Sequence, residues 1–200
     1  MLFFRERIGQ SVHGSVMTLQ AGQERNPLIP ATDAAGALAS VRASGSTALL
    51  LGFGNVLLGD DGAGVRLLER LQSELGPGVA NFVDGGTLSF SLLPYMQGTE
   101  SLLVIDAANL NATSGSIELF EGGEMDRFLA TARRRTVHEI GLIDLLDMAR
   151  LQDCLPARRA LLCIQPARID WSEALSTPVL RALPDAIRVA RALLRRWDIL

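Results

Sequence analysis

Two hundred residues suit one domain with its own core, and with 48% hydrophobic residues but only 5% aromatic ones, aliphatic side chains must fill it. The net charge of −3 carries none of the basic excess that attracts nucleic acid or an anionic membrane, so neither partner is expected. The two cysteines, Cys154 and Cys163, form neither a CxxC pair nor a disulfide framework, and two free thiols in a reducing compartment is the plain reading.

The opening MLFFRERIG is interrupted by Arg5, Glu6 and Arg7 before a signal-length apolar stretch forms, and no later window approaches the roughly 20 apolar residues of a membrane helix. A cytoplasmic protein without membrane insertion is expected. Residues 1–45 scatter Gly, Pro, Ser and Thr without sustained periodicity and read as a partly disordered N-terminal extension. His13 within it reads as a solvent-exposed residue of no consequence.

A single domain is expected over 46–200. TALLLGF (47–53) is a continuous apolar run ending at glycine, which suits a strand buried on both faces. Val65, Leu68, Leu71 and Leu75 then fall at helical spacing over 62–75. GVANFV (78–83) reads as a second strand ending in DGGT, LSFSLLPYM (88–96) as a short helix, and SLLVIDA (101–107) as a third buried strand. SIELFE (116–121) alternates like a strand with one wet face. A helix is expected over 138–151, a buried strand over 160–166 stopped by Pro166, and a last helix over 178–197 with proline in its favoured first turn. Buried strands alternating with helices predict an α/β fold: three α/β/α layers around a twisted, largely parallel sheet of about five strands.

Ligands of open α/β sheets collect at the carboxyl ends of the strands. The polar residues at those ends are Asn55, Asp60 and Asp61 after the first strand, then Asp84, Gly85, Gly86 and Thr87 after the second. Asp106 closes the third, and His138, the only histidine inside the domain, opens a helix. Each has a plainer reading: an Asp as helix cap, Asp84 as a turn residue, His138 as a helix-start residue bonded to backbone. One cap needs only one of the two adjacent aspartates. Together two carboxylates and an imidazole suit a borderline divalent metal such as Zn²⁺, Ni²⁺ or Fe²⁺, with positions left open for water or an incoming ligand.

Several motifs are excluded. GFGNVLLG is not GxGxxG, no phosphate loop or GxSxG is present, and HEIGL (138–142) has Leu142 where HExxH requires histidine.

The order G-x-G-N-x-L-x-x-D-D-G-x-G (52–64), DGGT (84–87), an apolar strand ending in Asp106, and H-x-x-G-L (138–142) resembles the [NiFe]-hydrogenase maturation endopeptidases. IQPARIDWSEALS (164–176) also looks like that family, so the resemblance spans residues 47–197. It implies an endopeptidase that removes a C-terminal extension from the hydrogenase large-subunit precursor after nickel insertion. Its catalytic and metal-contacting residues would be Asp61, Asp106 and His138. Several relatives carry Glu at the first position, one methylene longer. The resemblance makes the metal the nickel borrowed from the precursor, or another divalent ion in its place, and leaves Asp60 to cap or shape the turn. Asn55, Asp84, Gly85, Gly86 and Thr87 would shape the loop that accepts the substrate tail, and a monomer suits a protein that docks a large partner transiently. Water activation falls to the metal or to one carboxylate. The rival reading is a small-molecule hydrolase with a resident divalent metal.

Overall fold

The computed structural model describes residues 29–30, 45–86, 90–132 and 137–200. His13, Thr87 and most of the expected extension lie outside the described residues, as do the side chains of residues 137–140, His138 included.

Six strands form one sheet: β1 (Ile29–Pro30), β2 (Ala48–Phe53), β3 (Asn81–Gly86), β4 (Ser101–Ala107), β5 (Ile117–Glu121) and β6 (Arg158–Ile164). Their order is β1-β3-β2-β4-β6-β5, and every pairing is parallel except β5 against β6. The five longer strands are the five expected from sequence. The sixth is the two-residue edge β1, whose Ile29 and Pro30 pair with Val83 and Asp84. β2 and β4 are buried at every position, as central strands covered on both faces must be. β5 lies at the other edge and is only partly buried, which is why its sequence alternates.

Alternation along the strands sends side chains into two cores. Leu50, Leu103, Ile105, Leu162 and Ile164 pack against α1 (Ala63–Leu75) and α5 (Thr177–Arg196). On the opposite face Leu49, Leu51, Leu102, Val104 and Leu161 pack against α2 (Leu93–Met96), α3 (Gly123–Ala132) and α4 (Val137–Leu151). The result is the expected three-layer α/β/α arrangement.

Some details differ from the sequence reading: β6 runs Arg158–Ile164, two residues earlier than expected, and ends before Pro166 is reached. β3 starts at Asn81 and runs through Asp84 to Gly86, three residues later than expected. Residues 77–80 are spent turning, with Gly78 at φ +89°, and the Asn81 side chain donates to the Ser46 carbonyl (3.0 Å), fixing where pairing begins. Helix α3 was not expected at all. Among its described side chains it buries only Met125 and Leu129, too few to declare a helical period. A fork from Arg159 on β6 to Asp126 (2.6 and 3.2 Å) fastens it to the sheet.

Candidate active site

The loop after β2 is built by close backbone approach. Gly54 has φ +120°, and a Cβ there would lie 1.9 Å from the Asp61 carbonyl oxygen. Only glycine fits, and the chain doubles back tightly enough for the Asn55 N–H to donate to Asp61 Oδ2 (2.8 Å). The Asn55 side chain accepts from the Leu57 N–H (3.0 Å), so this residue shapes the loop as its sequence position suggests. A short 3-10 turn, Asp60–Gly62, then leads into α1. Gly64 in the first turn of α1 sits where a Cβ would meet the carbonyl oxygens of Ile105 and Phe53 at 2.4 Å, so the helix start lies directly on β2 and β4.

The adjacent aspartates do different things. Neither caps α1, whose N-cap is Gly62 without a side-chain bond. Asp60, fully buried, reaches across to the segment between β6 and α5. Its carboxylate accepts from Ser176 N–H (2.6 Å), Ser176 Oγ (2.7 Å), Ala167 N–H (2.9 Å) and Arg168 N–H (3.2 Å). Burial alone would push the Asp60 carboxyl up, but the bonds from Ser176, Ala167 and Arg168 together outweigh it and hold the group below its ordinary value. Ser176 is thereby diverted: it stands at the N-cap of α5 but gives its side chain to Asp60.

Among the described side chains Asp61 and Asp106 are the other buried carboxylates, 5% and 4% exposed. Asp106 is the last residue but one of β4, beside Cys163 of β6, and falls on the same face of the strand as Leu102 and Val104. That face is covered by α4, the helix whose second residue is His138. Asp61 follows β2, the strand next to β4. The structure therefore puts both carboxylates at the carboxyl ends of neighbouring strands and His138 on a helix over the Asp106 face. Among the described side chains no three His, Cys, Asp or Glu residues are grouped to hold a metal ion.

Asp84 belongs to β3 rather than to a loop beyond it. Its Oδ1 accepts from the Gly86 N–H (2.8 Å), the turn role anticipated for it. Burial pushes its carboxyl above the usual value; the Gly86 bond opposes this and the Glu69 charge adds to it. Gly85 and Gly86 continue the strand, and the Gly86 carbonyl accepts from Gly54 N–H (3.0 Å), tying the second rim loop to the first.

The sequence profile of the hydrogenase maturation proteases matches residues 65–192, well over half the chain. The chain belongs to the hydrogenase maturation protease family. The profile match includes Asp106 and His138 and begins just after Asp61. The protease is 33% identical over 153 residues to the hydrogenase expression/formation protein HupD of Rhodobacter capsulatus, covering 76% of this chain and 72% of that one. Among solved structures it is similar to the hydrogenase maturating endopeptidase HybD of Escherichia coli, with a TM-score of 0.69 and 27% identity, over 74% of this chain and 92% of that one. It is also similar to the [NiFe] hydrogenase maturation protease HybD of Thermococcus kodakarensis, with a TM-score of 0.63 and 30% identity, over 73% and 97%. The protease is thus a peptidase, with the fold expected from its sequence. Among its described residues no helix is long and apolar enough to cross a membrane.

The bond from Asp60 to the 167–176 segment is the feature that sequence reasoning missed. Asp60 and Ser176 are 116 residues apart, and no spacing rule links them. The one available signal was that the 164–176 stretch looked familial at all.

Proposed function

We propose that this protease removes the C-terminal extension of a [NiFe]-hydrogenase large-subunit precursor once nickel is in place, and that it recognises the nickel already held by that substrate. Asp61, Asp106 and His138 contact the metal through its open coordination positions. Membership of the family carries the reading. The two buried carboxylates at adjacent strand ends, with Asp106 on the face covered by the helix that bears His138, support it. Two carboxylates and an imidazole are a donor set that Ni²⁺ accepts.

Docking on the metal fixes the scissile peptide, and that orientation supplies much of the rate. A water oxygen attacks the scissile carbonyl carbon, one of the two carboxylates takes its proton, and the proton passes to the departing amine as the C–N bond breaks. A precursor without nickel lacks the anchor and is not cut. Asn55, the end of β3 at Asp84–Gly86, and Thr87 after it shape the entry for the tail. Residues 46–200 form the catalytic domain, with 1–45 an extension to it, and the protease works in the cytoplasm as a monomer that docks its substrate transiently.

The test is intact mass spectrometry of a cognate precursor incubated with the protease, with and without nickel loaded. Loss of a C-terminal fragment only from the nickel-loaded sample is expected. Asp106→Asn and His138→Ala should each lower that cleavage by about 10²-fold or more while leaving the protein folded. Cleavage that ignores nickel, or that survives His138→Ala, would overturn the docking scheme.

A further inference from the structure

Of the six large apolar residues exposed among the described ones, three lie on a single seam: Leu57 (46% exposed), Ile169 (49%) and Trp171 (83%). The seam joins the loop after β2 to the segment between β6 and α5. Leu58 bridges Ser172, and Gly59 bridges Ile169. The Gly59 N–H donates to the Ser172 carbonyl (2.6 Å), and the Ser172 N–H to the Leu57 carbonyl (3.0 Å). Beneath it, the buried Asp60 carboxylate holds the 167–176 segment by four further bonds. The chain here carries no core of its own, yet it is fastened by backbone ladders and a buried charge. The side chains it presents are the kind that a protein should hide.

We infer that Leu57, Ile169 and Trp171 form the apolar surface on which the peptidase seats its protein substrate, with Trp171 as the anchor; this rests on the function proposed above. Continuity with the candidate site supports the assignment. Asp60 holds the seam, and the next residue is Asp61, so a chain seated on Trp171 is delivered beside the carboxylates. Stiffness of the backbone supports it too, because a segment already fastened loses little freedom on binding. The rim is polar, with Arg168 and Asp170 exposed and paired at 3.7 Å, which is the surround expected of an apolar anchor. A second copy of the chain is the poorer occupant. An aromatic side chain buries about 150–250 Å², so one Trp with two aliphatic neighbours falls well short of the roughly 1,200 Å² of a stable dimer. A transient encounter with a substrate asks for less.

The chain has two tryptophans, Trp171 and the buried Trp197, so the full-length protease labelled with 5-fluorotryptophan gives one fluorine resonance from the seam and one from the core. Adding nickel-loaded precursor should shift the Trp171 resonance and leave Trp197 in place. Trp171→Ala should raise KM for the precursor by about tenfold with kcat nearly unchanged, and Trp171→Phe should recover most of the loss. An unshifted Trp171 resonance, or an unchanged KM in Trp171→Ala, while the wild type cleaves normally, overturns this inference alone. So does a sedimenting dimer of the wild type that Trp171→Ala converts to monomer. A wild type that neither binds nor cleaves the loaded precursor overturns the proposed function and this inference with it.

Discussion

The two ends of the sheet are built on opposite terms. At the amino ends of β4 and β6 lies a cavity of about 500 Å³ lined by Met96, Gly98, Glu100, Cys154 and Arg158, among others. Its charges reach solvent: Arg158 and Glu100 are 3.6 Å apart, with Glu100 largely exposed and Arg158 partly so. At the carboxyl ends Asp60, Asp61 and Asp106 are buried. Glycines let backbone strands touch there, and the Asp60 carboxylate alone accepts four hydrogen bonds. Room without buried charge marks one end, and buried charge the other. Buried carboxylates are costly unless satisfied, and Asp60 is satisfied by the four bonds with which it holds the 167–176 segment. Cavity size is the poorer guide to chemistry here.

Paired substitutions at the two ends sharpen this contrast. The largest effect is expected from glycine. Gly54→Ala drives a Cβ to 1.9 Å from backbone at Asp61, at φ +120°. It should cost several kcal/mol, about 3 or more, or prevent folding. Gly98→Ala, at φ +78° with open space around it, should cost only about 1–2 kcal/mol. Chemical denaturation of the two variants measures the difference, and equal losses would erase the asymmetry between the ends.

Next comes Asp60→Ala. It strips the partner from the N–H groups of Ala167, Arg168 and Ser176 and should cost about 3 kcal/mol. It should also loosen the 167–176 segment, seen as faster amide exchange there than in α1. Glu100→Ala, which removes an exposed ion-pair partner, should stay within about 0.5 kcal/mol of wild type. A mild Asp60→Ala would mean that the 167–176 segment is held by its β-bridges alone.

The sheet was legible because its central strands are uninterrupted apolar runs, and a strand covered on both faces leaves no other pattern. The rim was legible for a related reason: polar residues directly after such runs have nowhere to sit but the strand ends. The close approach at Gly54 and Gly64 comes from the structure alone, where a Cβ would meet backbone oxygen at 1.9 and 2.4 Å. Helix α3 escaped because two buried residues, Met125 and Leu129, give one helical interval and no period. The start of β3 escaped because pairing is set by Asn81 reaching Ser46, a bond with no trace in local sequence. Asp60 was read as a cap or turn residue because local rules see only neighbours. Its partners come from a segment more than a hundred residues away, and a carboxylate at a helix start looks the same in either role.

The smallest effect distinguishes two kinds of carboxylate at the carboxyl ends of the strands by their pH dependence. Asp60 is held below its ordinary value of 3.8 in the folded protein by its four hydrogen bonds, despite burial. Its contribution to stability is therefore fully present above about pH 4 and is lost as the pH falls through the folded value. Asp84 is pushed above 3.8, chiefly by burial. Its charge is a cost to the folded state at neutral pH, and that cost disappears as the group takes up its proton in the window above 3.8. Asp60→Asn should thus be less stable than wild type at pH 7, with the gap narrowing only below about pH 4. Asp84→Asn should be slightly more stable at pH 7, with its gain shrinking as the pH falls toward 3.8 and gone below it. Urea titrations of both variants across pH 3 to 7 measure the two curves. Opposite signs at neutral pH mean that the rim keeps one aspartate charged to hold its loops and carries the other at a cost, whereas the same sign for both would make Asp60 an ordinary turn residue.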